Sequence, residues 1–127
     1  MHRLLVILLP LALTACSGSP AERRIRQYFA LPAETPGDTV ALRTAILQRM
    51  PRGTPADTVR TFLASRGVGQ DGLSAYYPAG PGDTALVRIE FDPHGWNVVA
   101  VSYDVRLVFD SAARLTDVRV ARWLTGP

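Results

Sequence analysis

Residues 97–109 restrict the fold of this chain more than any other segment. Val99, Val101, Tyr103, Val105, Leu107 and Phe109 recur at every second position, with Ser102, Asp104 and Arg106 between them. Apolar residues at period two share one side of a pleated strand, because successive Cβ atoms point to opposite faces. Such a strand belongs to a sheet covered on one side and wet on the other. The flanking segments repeat the pattern. Residues 84–91 set Ala85, Val87, Ile89 and Phe91 against Arg88 and Glu90, and residues 115–124 set Val118 and Val120 inward and Arg119 outward. Residues 73–78, with Tyr76 and Tyr77, read as a short edge strand. The connections are brief: a loop at residues 78–83, and turns at Asp92-Pro93-His94-Gly95 and Asp110-Ser111-Ala112-Ala113. Short connections force antiparallel neighbours.

Upstream the period changes to that of a helix. Asp38 or Thr39 can cap a helix over residues 39–50, with Val40, Leu42, Ile46, Leu47 and Met50 as an imperfect apolar stripe. Pro51 stops it and Arg52-Gly53 turns the chain. Thr54 then reads as an N-cap, Pro55 as the first helical residue, and Asp57 as an acid at the positive end of the helix dipole. Val59, Phe62 and Leu63 face one way, and Gly67 suits the left-handed position that ends the helix. The expected fold is α+β, with two N-terminal helices packed on a three- to four-stranded antiparallel sheet.

The N-terminus reads as an address. Arg3 precedes an apolar run over residues 4–13, too short to span a bilayer and of the length of a signal-peptide core. Leu13-Thr14-Ala15-Cys16 closes it. These residues resemble the lipobox of bacterial lipoproteins, which implies cleavage between Ala15 and Cys16 and lipidation of the Cys16 thiol. Each buried CH₂ of an acyl chain contributes ~0.8 kcal/mol, so two or three chains hold a protein firmly. Residue 17 is Ser rather than Asp, which in Gram-negative sorting favours the periplasmic face of the outer membrane. The expected organisation is a signal peptide at 1–15, a lipidated tether at 16–37 and an α+β domain at 38–127. Within the tether, Ile25, Tyr28 and Phe29 recur at helical spacing beside Arg23, Arg24 and Arg26. That short basic helix can lie on anionic headgroups or pack on the domain. Residues 32–37 read as a linker.

Composition narrows the chemistry. A single Cys excludes a disulfide, and with two His in the chain no Cys/His zinc site is expected. All 14 cationic side chains are Arg, spread along the chain for a net charge of +3, so a nucleic-acid interface is not expected. His94 sits in a turn without a G-x-S-x-G nucleophile to serve. The chain therefore reads as non-catalytic, without cofactor or metal. The alternative is a periplasmic small-ligand or cell-wall binding domain, or a minimal hydrolase using His94. The large residues Tyr76, Tyr77, Trp96 and Trp123 are the candidate partner contacts, since Tyr and Trp are enriched at interface hot spots. The exposed edge of the sheet is a second candidate, through strand addition.

Gly53-Thr54-Pro55, Val59 and Phe62-Leu63 look like the helix opening of the SmpA/OmlA (BamE-like) family of outer-membrane lipoproteins, and residues 109–115, Phe-Asp-Ser-Ala-Ala-Arg-Leu, are similar to its late hairpin. Ala113 stands where that hairpin has glycine, and Gly67 lies about three residues late. The resemblance covers roughly residues 42–120. It implies two helices followed by a three-stranded sheet, and a role as an accessory in outer-membrane β-barrel assembly with an envelope protein as partner.

Overall fold

The computed structural model describes residues 19–90 and 100–125. Cys16, Ala15, His94 and Trp96, and with them the lipobox and the 92–95 turn, lie outside the described residues. Three helices, α1 (Pro20–Tyr28), α2 (Thr39–Arg49) and α3 (Ala56–Ser65), precede four strands, β1 (Ser74–Tyr77), β2 (Thr84–Ile89), β3 (Ala100–Phe109) and β4 (Leu115–Thr125). The strands form one antiparallel sheet in the order β1-β2-β3-β4. The class is α+β, with three helices in the domain where two were expected.

The additional helix is the basic segment assigned above to the tether. Ser19 caps it by accepting the Glu22 amide, Pro20 occupies its first turn, and Ala21, Ile25, Tyr28 and Phe29 are fully buried against the sheet. The domain therefore begins no later than Ser19, and the expected boundary at residues 37 and 38 falls inside its core. The arginines that suggested a headgroup contact are occupied within the protein: Arg24 pairs with Asp71 at 3.4 Å, and Arg26 donates to the Thr35 carbonyl at 3.1 Å. The 32–37 linker is packed too. Thr35 is buried, the Gly37 carbonyl accepts the Tyr103 hydroxyl at 2.7 Å, and a Cβ on Gly37 would collide with the Glu22 carboxylate.

Helix α1 ends in a Schellman motif. The Leu31 amide donates to the Arg26 carbonyl and the Ala30 amide to that of Gln27, with Ala30 at φ 50° and Leu31 buried. Helix α3 ends the same way through Gly67, at φ 96°, with Val68 buried, as Gly67 suggested. Asp38 caps α2, and Leu42 and Ile46 are buried, whereas Val40 is 74% exposed and lies outside the stripe. Thr54 does not cap α3. Its carbonyl accepts the Leu115 amide, its hydroxyl donates to the Pro51 carbonyl, and Pro55 takes the cap position. The backbone just before the helix is bound to the sheet, so the helix starts one residue later.

In the sheet, Ala85, Val87, Ile89, Tyr103, Val105 and Leu107 point to the helices and are fully buried, as their alternation requires. A bulge at Thr116 shifts the β3–β4 register between Val108 and Phe109. The extra residue lets Leu115 and Val118, three positions apart, both enter the core. The turn before it is held by the Asp110 carboxylate, which accepts the amides of Ala112 at 2.9 Å and Arg114 at 3.0 Å, with Ala113 at φ 56°.

Candidate functional site

The helices cover one face of the sheet. The other face carries the alternate residues, and the register sets them in rows. Tyr77, Leu86, Arg106 and Arg119 lie side by side across β1 to β4, and Ala75, Arg88, Asp104 and Ala121 form the next row. Arg88 donates to Asp104 at 3.1 Å, and that contact raises the guanidinium pKa further above its already high value. Asp104 is a buried acid on this face, 7% exposed at the centre of the sheet, and Arg88 supplies its countercharge. The row above holds two like charges directly opposed, Arg106 and Arg119, an arrangement that destabilises a cross-strand pair. Arg119 reaches Asp117 only at 3.7 Å, and Arg106 is exposed with no ion pair among the described residues.

The structure separates the sequence-predicted contacts. Tyr76 points to the helical side and packs against the core. Tyr77 is 50% exposed on the open face, as the strand period demands of its neighbour. Trp123 is 56% exposed on the same face. Tyr77 and Trp123 occupy opposite edge strands, about 14 Å apart across three strand spacings before their offset along the strands is added. Tyr77 shares its row with the arginines, Trp123 lies four residues along β4 from Arg119, and the two aromatics do not touch one another.

The edge at β4 was not singled out residue by residue in the sequence. Over its first half the outward backbone is closed. The Gly53 amide donates to the Leu115 carbonyl at 2.7 Å, the Arg52 Nε to that of Thr116 at 3.0 Å, and the Arg43 Nε to that of Val118 at 2.8 Å. Arg43 also donates to Asp117 at 2.7 Å, which holds that carboxyl below the usual aspartate range.

A second polar cluster ties α1 to the loop before β1. The Tyr28 hydroxyl donates to Asp71 Oδ2, and Asp71 Oδ1 accepts the amides of Leu73 at 2.9 Å and Ser74 at 3.1 Å and the Ser74 hydroxyl at 3.0 Å. Burial alone would raise the Asp71 pKa, but these donors outweigh it and the net shift is downward. Burial, and then the hydrogen bond to Asp71, pushes the Tyr28 phenol up. The pair is thus fixed as carboxylate and phenol, with the Tyr28 hydroxyl donating to one carboxylate oxygen and the other accepting from local donors. Its sequence signal was the Asp-x-x-Ser spacing of a turn.

The concave spots are surface depressions. One apolar depression, about 160 Å³, lies between the end of α2 and α3 against Met50, Val59 and Phe62, where Arg49 stacks 5.6 Å from the Phe62 ring centroid. No three His, Cys, Asp or Glu residues converge to hold a metal among the described residues, and no described helix is long and apolar enough to cross a membrane. Comparison of the chain with protein-family models, with curated proteins and with solved structures gave no match.

Proposed function

We propose that this chain is a lipid-anchored bacterial envelope lipoprotein, held through Cys16 at the periplasmic face of the outer membrane, whose α+β domain is a non-catalytic protein-interaction module. The resemblance of the 53–63 and 109–115 segments to the SmpA/OmlA family directs the choice of partner to the outer-membrane β-barrel assembly machinery. The observation that carries the interaction reading is the open sheet face, where two opposed arginines share a row with exposed Tyr77, and exposed Trp123 follows four residues along β4. Arg, Tyr and Trp are the residue types that dominate binding energy at interfaces, and the repulsion of Arg106 and Arg119 is relieved by an acidic partner.

The test is in-cell crosslinking of the C-terminally tagged, membrane-anchored protein, followed by mass spectrometry. An envelope protein enriched over an unrelated domain anchored through the same 1–16 segment is the expected result, and Tyr77→Ala/Trp123→Ala should reduce that capture. Capture equal to the control domain would end the interaction reading. Cys16→Ser should abolish the lipid-dependent mass increase and move the protein out of the membrane fraction, and retention of both would end the lipoprotein reading.

A further inference from the structure

The geometry points to the second half of β4 as a strand-addition site for an extended acidic segment of another protein. The inference rests on reading the domain as an interaction module, and it names the place and the mode.

Strand β4 is an edge of the sheet. The Val118 carbonyl faces away from β3, since Arg43 binds it from outside. Outward groups recur every second residue, so those of Val120, Arg122 and Leu124 also face away from β3. The α2–α3 loop, Arg52 and Arg43 close this edge as far as Val118. No hydrogen bond to the outward groups of residues 120, 122 and 124 occurs among the described residues. An unpaired backbone edge is a template for another strand, and proteins that leave one unused blunt it with charge, proline or a covering loop. Among the described residues the covering stops midway.

What lies beside the open half indicates the occupant. Leu124 is 61% exposed on the helical side of the edge, and Trp123 is exposed on the open face. Residues 118–125 hold Arg119 and Arg122 and no acid, and Arg122 is paired with Glu22 of α1 at 3.8 Å, which leaves Arg119 as the cation beside the open half. An added strand sets one side chain beside Arg119 and another beside Trp123 on the same face, two positions either side of the one beside Ala121. An acid at the first position answers the Arg106–Arg119 opposition, and an apolar residue at the second covers the indole. A second copy of β4 would instead bring two basic edges together, which charge disfavours. A bulk polyanion could meet the arginines, but it offers nothing to the alternating amides and carbonyls.

The probe is a fluorescein-labelled ten-residue Thr peptide with Glu at positions 1 and 9 and Val at position 5, which share one strand face, titrated into the full chain in mild detergent and read by fluorescence polarisation. The controls are the same peptide N-methylated at alternate amides, and one with Lys in place of Glu. Saturable binding of the Glu peptide is expected, weaker by about tenfold or more on N-methylation and for Arg119→Glu, whose preference should turn toward the Lys peptide. Leu124→Pro removes one outward amide without touching the β3 ladder and should weaken binding similarly. Its fold is checked by circular dichroism, and Arg119→Glu keeps the test decisive where that variant misfolds. No binding of the Glu peptide, with in-cell capture intact, would overturn strand addition and leave the interaction module standing. Equal binding of the N-methylated peptide, or full competition by anionic phospholipid vesicles, would overturn it in favour of plain charge attraction. A concentration-dependent dimer abolished by Leu124→Pro would make a second copy the occupant and overturn it as well.

Discussion

Ile25→Ala separates a core helix from a tether helix by a margin that is easy to measure. Ile25 is fully buried with Tyr28 and Phe29 on the face that α1 turns to the sheet. The substitution removes three carbons, about 2.4 kcal/mol at ~0.8 kcal/mol per buried methylene. Its neighbours belong to a single packed cluster spanning α1, α2 and the sheet, so the space cannot fully collapse. The residual cavity brings the expected cost to about 3–4 kcal/mol, within the usual 2–5 kcal/mol for Ile→Ala in a core. In a domain of roughly 100 residues that lowers Tm by about 12–30 °C, at ~4–8 °C per kcal/mol. Urea unfolding followed by far-UV circular dichroism and by tryptophan fluorescence measures it, with coincident transitions as the check on two-state behaviour. Val40→Ala is the control. Val40 is as apolar but exposed, and its loss should stay within about 0.5 kcal/mol. A cost below about 1 kcal/mol for Ile25→Ala would refute the placement of α1 in the core, since a surface helix loses little more than that.

Two alanines hold left-handed backbone that glycine adopts without strain, so Ala30→Gly and Ala113→Gly should each stabilise by about 0.5–1 kcal/mol, whereas Ala64→Gly, at an exposed right-handed position in the last turn of α3, should destabilise by about 0.5 kcal/mol. Thermal melts check both signs, and a fall in Tm for the first two would refute the strain. Stability should also fail at both ends of the pH scale. The pKa values of Asp71 and Asp117 are depressed on folding, so their contribution is whole above the ordinary aspartate range near pH ~4 and is lost as pH falls below it. Burial raises the phenols of Tyr28 and Tyr103, with the carboxylates of Asp71 and Glu22 respectively adding to it. Their contribution is whole below pH ~10 and is lost as pH rises through the raised values. Urea midpoints against pH should fall at both limbs, and Arg43→Met should shrink the acid limb. An acid limb unchanged in that variant would refute the role given to Arg43.

The parts of the fold legible in the sequence are those in which a single periodicity decides the outcome. Ala85, Val87 and Ile89 could only share a face, and Gly67 could only end α3 where the chain reversed. The rest depended on partners that no local pattern names. The spacing of Ile25, Tyr28 and Phe29 identified an apolar face but not what it packs against, and three neighbouring arginines suggested a lipid surface when two of them serve Asp71 and the Thr35 carbonyl. Thr54 had the right type and spacing for a cap, but a bridge to Leu115, 61 residues away in sequence, claimed its backbone. The surface shows the same division. Tyr76 and Tyr77 were adjacent candidates, although adjacent strand residues face opposite ways, so at most one could reach the open face. Arg106 and Arg119 became a pair only through register, which the bulge at Thr116 sets.

The position of α1 also bears on how far the molecule can roam. A tether of residues 16–37 would extend over roughly 70 Å at ~3.4 Å per residue, letting the domain sweep a broad shell of periplasm. With α1 buried in the core, the slack from Cys16 to Ser19 is only three residues, a reach of roughly 10 Å. On the lipoprotein reading the domain then sits nearly flush with the bilayer, with the start of α1 as its pivot. The surfaces it offers then end about one domain width from the lipid headgroups, and lengthening the 17–19 spacer becomes a means of extending that reach.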